Sequence, residues 1–252
     1  MLKSQSVMDK KIGILGGMGP EATLYLYKLI INNTPAKKDQ DHIHVIINSN
    51  PKIPDRTRHI IYGEESPLTL LRQGAIMLEK AGADMILIPC NTAHYFVPEL
   101  SKSIMIPILN MLDLTCKYIA QLVAASAKYS TAEKVPVGIL ATTGTIKTQL
   151  YQKYIDKENL SYVLPTEKEQ ESLVMEAIYG EKGVKAGYHK GPAQLLMQAS
   201  NLLIERGAQF IIAGCTEVPL VLTPKMVSVP LINSMEVLAQ EAVKLAMTND
   251  KI

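Results

Sequence analysis

Two cysteines with similar surroundings, Cys90 and Cys215, are the residues best suited to chemistry. Each follows a short apolar run and precedes a polar residue, Asn91 in one case and Thr216 in the other. A thiolate paired with a thiol can remove a proton from one face of a carbon centre and return one to the opposite face. A free thiol has a pKa of about 8.5, so such a pair needs surroundings that stabilise one thiolate.

The third cysteine, Cys116, lies in a helical pattern without a polar loop around it, which favours a buried packing role. Three cysteines in a chain of 252 residues do not form a disulfide framework. The first residues resemble no secretory signal, because their apolar run is short and leads into glycines. We therefore expect reduced thiols and a cytoplasmic protein.

The sequence repeats itself with a shift of 125 residues, which places Cys90 on Cys215. Between residues 70 and 93, 8 of 24 positions are identical to their shifted counterparts, namely Leu70, Leu71, Gln73, Leu78, Gly82, Ala83, Ile86 and Cys90. Coincidence among common α/β patterns would not keep one register over most of each half. The repeat predicts two homologous domains.

Short apolar runs alternate with helical patterns in both halves. The predicted strands are residues 11–15, 44–48, 84–89, 136–140 and 209–213, and the predicted helices are residues 21–31, 67–81, 169–179 and 192–206. This alternation is typical of an α/β fold with doubly wound parallel sheets, here in two similar domains related by pseudo-two-fold symmetry. The predicted domains are residues 1–112 with 226–252, and residues 113–225.

Both cysteines follow the carboxyl ends of predicted strands, where parallel sheets bind their ligands. If the two halves face each other, Cys90 and Cys215 look across one cleft from opposite sides. A helix N-terminus after each cysteine, together with nearby backbone amides, would help to stabilise a thiolate. The cleft between the domains is therefore the predicted site.

Three motifs carry a resemblance to a known family. They are PCNTAH at residues 89–94, GCTEVPL at 214–220 and GILGGMGPEAT at 13–23. They resemble the paired cysteine motifs and the first loop of aspartate/glutamate racemases, over nearly the whole chain. The resemblance implies a two-thiol racemase of an acidic amino acid, independent of metals and pyridoxal phosphate, and commonly a homodimer. Glu217 stands where glutamate racemases carry a His, which favours the aspartate branch.

A dicarboxylic amino acid requires cationic and amide donors for its carboxylates, and Arg gives the best bidentate grip. Arg56 follows the second predicted strand, so it should emerge at the same rim, and it resembles the family's carboxylate-binding arginine. Lys185 resembles the family's lysine on the opposite domain, with Lys182 as a competitor. Other candidates for contact with the substrate are Met18, Gly19, Asn91, Thr92, Thr142, Thr145, Thr216 and Glu217. His94 could orient the Cys90 thiol or only cap a helical turn.

Several classes of function are disfavoured. His42, His44 and His189 have no ligand spacing, so no metal site is predicted. The glycines after the first strand imitate a dinucleotide fingerprint, but no acidic residue ends the second strand. The formal net charge of +2 without long basic runs, and the absence of Trp, argue against nucleic-acid binding, and no apolar stretch could span a membrane.

Alternatives remain within the same superfamily and outside it. Hydantoin racemases, maleate isomerases and arylmalonate decarboxylases share the double α/β architecture, and two intact cysteines disfavour the decarboxylases. A two-lobed binding protein without catalysis is the alternative from a different class. The paired thiols count against it.

Overall fold

Two parallel β-sheets with surrounding helices make up the part of the chain that the computed structural model describes, residues 10–129 and 133–248. The first sheet has three strands and the second has four. All strand pairs are parallel, as the alternation of strands and helices predicts. Within the described ranges, no helix combines the length and hydropathy needed to cross a bilayer.

The first sheet has the strand order β2-β1-β3. Its elements are β1 (Ile12–Gly16), α1 (Pro20–Asn33), β2 (Val45–Ser49), α2 (Arg56–Tyr62), α3 (Leu68–Lys80), β3 (Met85–Leu87), α4 (Val97–Leu100) and α5 (Met111–Ala124). Every residue of the central strand β1 is buried. At the end of this strand Gly17 adopts a φ of 94°, and a Cβ there would lie 2.3 Å from the backbone of Asn50. Only glycine permits this turn towards α1.

The second sheet has the order β5-β4-β6-β7. Its strands are β4 (Pro136–Leu140), β5 (Ser161–Val163), β6 (Phe210–Ala213) and β7 (Leu231–Asn233). The helices in this part of the chain are α6 (Thr143–Lys147), α7 (Gln152–Lys157), α8 (Glu167–Glu169), α9 (Glu176–Tyr179), α10 (Lys190–Glu205), α11 (Val218–Val221) and α12 (Ser234–Met247). Short 3-10 turns lie at Asp39–Asp41, Thr92–Phe96, Ser101–Ser103, Ala127–Tyr129, Val184–Ala186 and Pro224–Met226.

The sequence repeat corresponds to a repeat of structure. Ile86 of β3 pairs with Ile108, and its shifted counterpart Ile211 of β6 pairs with Leu231. After each pairing an asparagine caps a 14-residue helix. Asn110 accepts hydrogen bonds from the first amides of α5, and Asn233 accepts one from the first turn of α12. The duplicated α/β architecture predicted from the sequence is confirmed.

The last helix of each half packs in the core of the other half. Met235 and Leu238 of α12 pack with Ile12 of β1 in the first half. Cys116 and Ile119 of α5 pack with the strands of the second half. The predicted domain ranges stay a prediction. Within residues 226–248, β7 pairs with the second sheet, whereas α12 packs in the core of the first half.

Cys116 is completely buried in the core of the second half. Burial raises the pKa of its thiol above the ordinary value, since a thiolate there would lose its hydration. Its place agrees with the packing role predicted from the helical pattern.

The pattern over residues 169–179 predicts one helix, whereas the structure divides this segment. A π-helix, Gln170–Met175, separates α8 from α9. The buried Gln170 side chain donates to the carbonyl of Ala141, at the end of β4. A wider turn of this kind is typical of helices that serve a neighbouring site.

Candidate active site

Both cysteines lie just beyond the carboxyl ends of central strands. Cys90 follows β3 and Cys215 follows β6, and each residue is 6% exposed. A 3-10 turn begins two residues after Cys90, and the one-turn helix α11 begins three residues after Cys215. The two loops therefore present their thiols at the edge where parallel sheets bind ligands.

A cavity of about 360 Å³ lies between the halves, next to the residues that surround the cysteines. The first half lines it with Gly17, Met18, Gly19, Pro20, Glu21, Ala22, Pro51, Ile53, Asp55 and Arg56. The second half lines it with Val184, Lys185, Glu217 and Leu220. Five of the predicted contacts, Met18, Gly19, Arg56, Lys185 and Glu217, thus lie around one space. Lys182 is exposed and is not among the lining residues.

A second cavity of the same volume lies elsewhere, between Tyr25, Tyr118 and Glu236. The lining of this second cavity contains no Arg or Lys that could bind a carboxylate. Cys90 and Cys215 are not themselves among the lining residues of the first cavity, but its lining residues Arg56 and Glu217 contact them. Chemistry, and not size, therefore identifies that cavity as the candidate active site.

Arg56 is the first residue of α2 and is buried beside Cys90. The side chain of Asp55 caps this helix by accepting a hydrogen bond from Arg58, and the Nη1 of Arg56 donates to the carbonyls of Ile53 and Pro54. Burial alone would lower the pKa of Arg56, but attraction to Cys90 and Asp55 raises it above the ordinary value. The guanidinium thus keeps its charge next to Cys90.

Glu217 connects Lys185 to Cys215. Lys185 Nζ lies 2.6 Å from Glu217 Oε1, and the Cys215 thiol donates to Glu217 Oε2 at 2.9 Å. Burial would raise the pKa of Glu217, yet the ammonium of Lys185 and the thiol's hydrogen bond hold that pKa below its usual value. The Thr216 hydroxyl donates to the same Oε2 at 3.2 Å. Glu217 is therefore a carboxylate.

The surroundings of Cys215 favour its protonated form. Burial raises the pKa of its thiol well above the usual value, the Glu217 carboxylate raises it further, and Lys185 lowers it only in part. Burial would lower the pKa of Lys185, but Glu217 and Cys215 raise it above the ordinary value. The second cysteine therefore faces an ion pair, whereas Cys90 faces a cation.

Tyr179, which no sequence motif marks, joins the two halves beside these groups. Its hydroxyl donates to Asp55 Oδ2 at 2.9 Å, and the Nζ of Lys185 lies 5.3 Å from the centre of its ring. It therefore supports the cap of the helix that carries Arg56 and offers its ring face to Lys185. No local pattern marks it, because Asp55 lies 124 residues away in the sequence.

Four buried threonine hydroxyls meet where the halves touch. Thr92 Oγ1 lies 2.9 Å from both Thr142 Oγ1 and Thr145 Oγ1, and Thr57 donates to Thr142 at 3.2 Å. Thr142 also caps α6. The predicted contacts Thr92, Thr142 and Thr145 are thus brought together, but none of them lines the cavity.

Asn91 and Thr216, the residues directly after the cysteines, are also buried and also absent from the cavity lining. The hydroxyl of Tyr151 donates to Asn91 Oδ1 at 2.6 Å. Among the described residues, Asn91 Nδ2 and Arg56 Nε find no acceptor although both atoms are buried. Two unpaired donors beside Cys90 suit an anionic group of a ligand.

His94 holds the loop of Cys90 through backbone contacts. Its Nδ1 lies 2.9 Å from the Cys90 carbonyl, and the amide of Met111 donates to its Nε2. The ring is therefore neutral, with its proton on Nδ1. Burial lowers its pKa to about 4. Of the two roles left open by the sequence, these contacts with backbone groups fit a structural cap and not a hydrogen bond that orients the Cys90 thiol.

No group of three His, Cys, Asp or Glu side chains is arranged to hold a metal ion in residues 10–129 and 133–248. The glycine loop after β1 contributes Gly17 and Gly19 to the cavity, opposite Lys185 and Glu217. It therefore serves the space between the halves.

Comparisons with known proteins define the class. Residues 15–242 match the family model described as Asp/Glu/Hydantoin racemase, and the chain belongs to this family. A broad specificity amino-acid racemase, RacX, from Bacillus subtilis is 32% identical over 236 residues, covering 92% of this chain and 96% of the relative. The family and its named members make the chain an isomerase, more particularly an amino-acid racemase.

Solved structures agree with this assignment. The aspartate racemase of Picrophilus torridus superposes with a TM-score of 0.79 at 30% identity, over 94% of each chain. An aspartate racemase homologue from Pyrococcus horikoshii superposes with a TM-score of 0.72 at 26% identity, over 95% of this chain and all of that one (100%). The fold predicted from the sequence is therefore that of aspartate racemases.

Proposed function

We propose that the chain interconverts the L- and D-enantiomers of an acidic amino acid, with aspartate the favoured substrate, by a two-base mechanism without pyridoxal phosphate or metal. Cys90 and Cys215 are the acid/base pair. The observation that carries this proposal is that each cysteine meets a cation that lines one shared cavity. Arg56 stands beside Cys90, and Lys185 stands beside Glu217 and Cys215.

In the free enzyme the two cysteines share one proton, and the neighbouring charges favour its place on Cys215. A thiolate at Cys90 is attracted by the adjacent guanidinium of Arg56, whereas Cys215 donates its proton to the Glu217 carboxylate. The Cys90 thiolate removes the α-proton that faces it. The Cys215 thiol then delivers its own proton to the opposite face. In the reverse direction the two cysteines exchange these roles.

Binding of the substrate uses donors that have no acceptor among the described residues. The substrate's carboxylate accepts hydrogen bonds from Arg56 Nε and Asn91 Nδ2, next to Cys90. Lys185 attracts the second carboxylate from the opposite side of the cavity, together with backbone amides after the cysteines. This arrangement favours a short dicarboxylate.

Broad specificity is the second candidate. The relative from Bacillus subtilis is described as a broad specificity amino-acid racemase. Met18, Ile53, Val184 and Leu220 give the cavity an apolar part, and the ammonium of Lys185 is already paired with Glu217. Both features favour tolerance of uncharged side chains. A homodimer and a cytoplasmic location stay predictions.

Single enantiomers in deuterated water test the proposal. The purified chain, without added cofactor and with EDTA present, should abolish the optical rotation of aspartate and place deuterium at the α-carbon of the inverted product. Faster turnover of apolar or basic amino acids than of aspartate would favour broad specificity. Absence of inversion for every amino acid tested would reject the proposed function.

A further inference from the structure

Tyr151 is a fully buried side chain that touches both cysteine loops. It lies between α6 and α7 in the second half, and its hydroxyl crosses to Asn91, directly after Cys90. Its ring lies against Gly214, directly before Cys215. A Cβ on Gly214 would lie 3.1 Å from the Tyr151 ring, so the loop approaches the ring as closely as glycine allows.

The hydrogen bond at 2.6 Å determines which end of the Asn91 amide is available. Burial raises the pKa of Tyr151, so the phenol keeps its proton and donates it to Oδ1. The Nδ2 end then points elsewhere, buried and without an acceptor among residues 10–129 and 133–248. A buried donor left unpaired is costly, and such groups commonly await a ligand.

We infer that Tyr151 is a positioning residue, whose hydroxyl holds the Asn91 amide with its N–H donors directed at the substrate's carboxylate. The inference rests on the proposed function. Without the phenol, a half-turn of the amide exchanges Oδ1 and Nδ2, and a carbonyl oxygen then faces the carboxylate. Because Tyr151 and Asn91 come from different halves, the donor is in place only when the halves are packed together.

A neighbouring pair provides a matched control. Asn110 Nδ2 donates to the hydroxyl of Tyr154 at 2.7 Å, so a second-half tyrosine again meets a first-half asparagine. That asparagine caps α5 and contacts no cavity residue that the mechanism uses. Tyr154→Phe therefore removes a similar hydroxyl without disturbing a substrate donor.

Steady-state kinetics of Tyr151→Phe test the inference. KM for aspartate should rise about tenfold, the value of one hydrogen bond to a charged group, while kcat stays within about threefold. Asn91→Ala should raise KM at least as much. In the Asn91→Ala background, Tyr151→Phe should cause no further rise, because its effect passes through the amide. Tyr154→Phe should leave KM and kcat near the parent's.

Three results would overturn the inference. They are an unchanged KM in Tyr151→Phe, an equal rise in KM in both Asn91 backgrounds, or a loss of kcat in Tyr151→Phe that matches a loss of thermal stability without a rise in KM. If Tyr151→Phe does not fold, an unchanged KM in Asn91→Ala still rejects it. Failure of the proposed function looks different: the parent itself would then invert no amino acid, or Cys90→Ala and Cys215→Ala would racemise at the parent's rate.

Discussion

The two cysteine loops share a scaffold but differ in charge. In the 125-residue register, Thr92 corresponds to Glu217, and His94 corresponds to Pro219. Thr92 joins a cluster of neutral hydroxyls, whereas Glu217 binds both Cys215 and Lys185. The strands and caps that place the two thiols are repeated, and the charged groups that surround them are not.

The cations differ as well, because they come from unrelated positions in the two halves. Arg56 begins α2, while Lys185 lies in a 3-10 turn before α10. A racemase needs two groups at comparable positions on opposite faces, but it needs them in opposite protonation states. A duplicated fold supplies the first requirement, and in the proposed mechanism the diverged loops supply the second.

Removing either thiol should have the largest effect. Cys90→Ala and Cys215→Ala should each abolish racemisation in both directions, because in the proposed mechanism each thiol serves one face of the α-carbon. Residual α-deuteration without inversion should survive for one enantiomer only, and the two variants should prefer opposite enantiomers. Proton NMR of single enantiomers in deuterated water measures this exchange.

Cys116→Ala is the control for these variants. It should racemise at the parent's rate and lose only modest stability, because Cys116 packs in a core away from the cavity. A rate near the parent's in either of the other two variants would defeat the two-base mechanism.

The next effect concerns the cation beside Cys90. Arg56→Ala should cost about 2–5 kcal/mol in kcat/KM, because it leaves a buried carboxylate without its partner. Arg58→Ala, two residues further along α2, is the matched control, since Arg58 is exposed and pairs with Glu64. Comparable kinetics for the two variants would remove Arg56 from the site.

The sequence predicts the repeated scaffold better than the groups between its halves. Apolar runs and the shift of 125 residues locate β1, β3, β4 and β6, because these are local properties of buried strands. Strands β5 and β7 are as short as β3, but β3 is buried throughout whereas β5 and β7 are only partly buried, so they lack the continuous apolar run that marks a buried strand.

Long-range contacts explain the rest of the difference. Arg56 could be placed from its position after a strand, since all parallel strands end at one rim. Tyr151 and Tyr179 could not, because their partners Asn91 and Asp55 lie 60 and 124 residues away. Cys215 and Glu217 are close in sequence, but Glu217 is kept as a carboxylate by Lys185, which lies 32 residues away in the sequence.

A smaller effect concerns the free energy of unfolding. It distinguishes the two cysteine loops, because His94 in the Cys90 loop corresponds to Pro219 in the Cys215 loop. The folded pKa of about 4 lies below the usual 6.5, so the unfolded chain takes up a proton first as the pH falls. The contribution of neutral His94 is complete above pH 6.5 and is lost between 6.5 and about 4, by up to about 3 kcal/mol. Urea unfolding at several pH values measures it.

In the variant His94→Gln, the protein should take up about one proton fewer on unfolding between pH 6.5 and about 4, so its stability should change less with pH there. The variant should be less stable than the parent at neutral pH. His42→Gln, at an exposed histidine, should keep the parent's profile. The assignment of a neutral buried ring fails if His94→Gln and the parent lose stability in parallel over this range.

The smallest effect tests the charge difference itself. Glu217→Gln keeps the size of the side chain but removes the carboxylate that raises the pKa of Cys215, so that pKa should fall while burial still holds it above normal. In a Cys90→Ala/Cys116→Ala background Cys215 is the only thiol, and its ultraviolet thiolate absorbance should titrate at lower pH with Gln.

In the otherwise native chain, kcat/KM should drop about tenfold, equally for both enantiomers because their equilibrium constant is one. Glu241→Gln, which removes an exposed carboxylate paired with Lys244, should change neither quantity. A Cys215 titration that stays in place would mean that burial alone keeps this thiol protonated, and the diverged loops would then not explain the unequal cysteines.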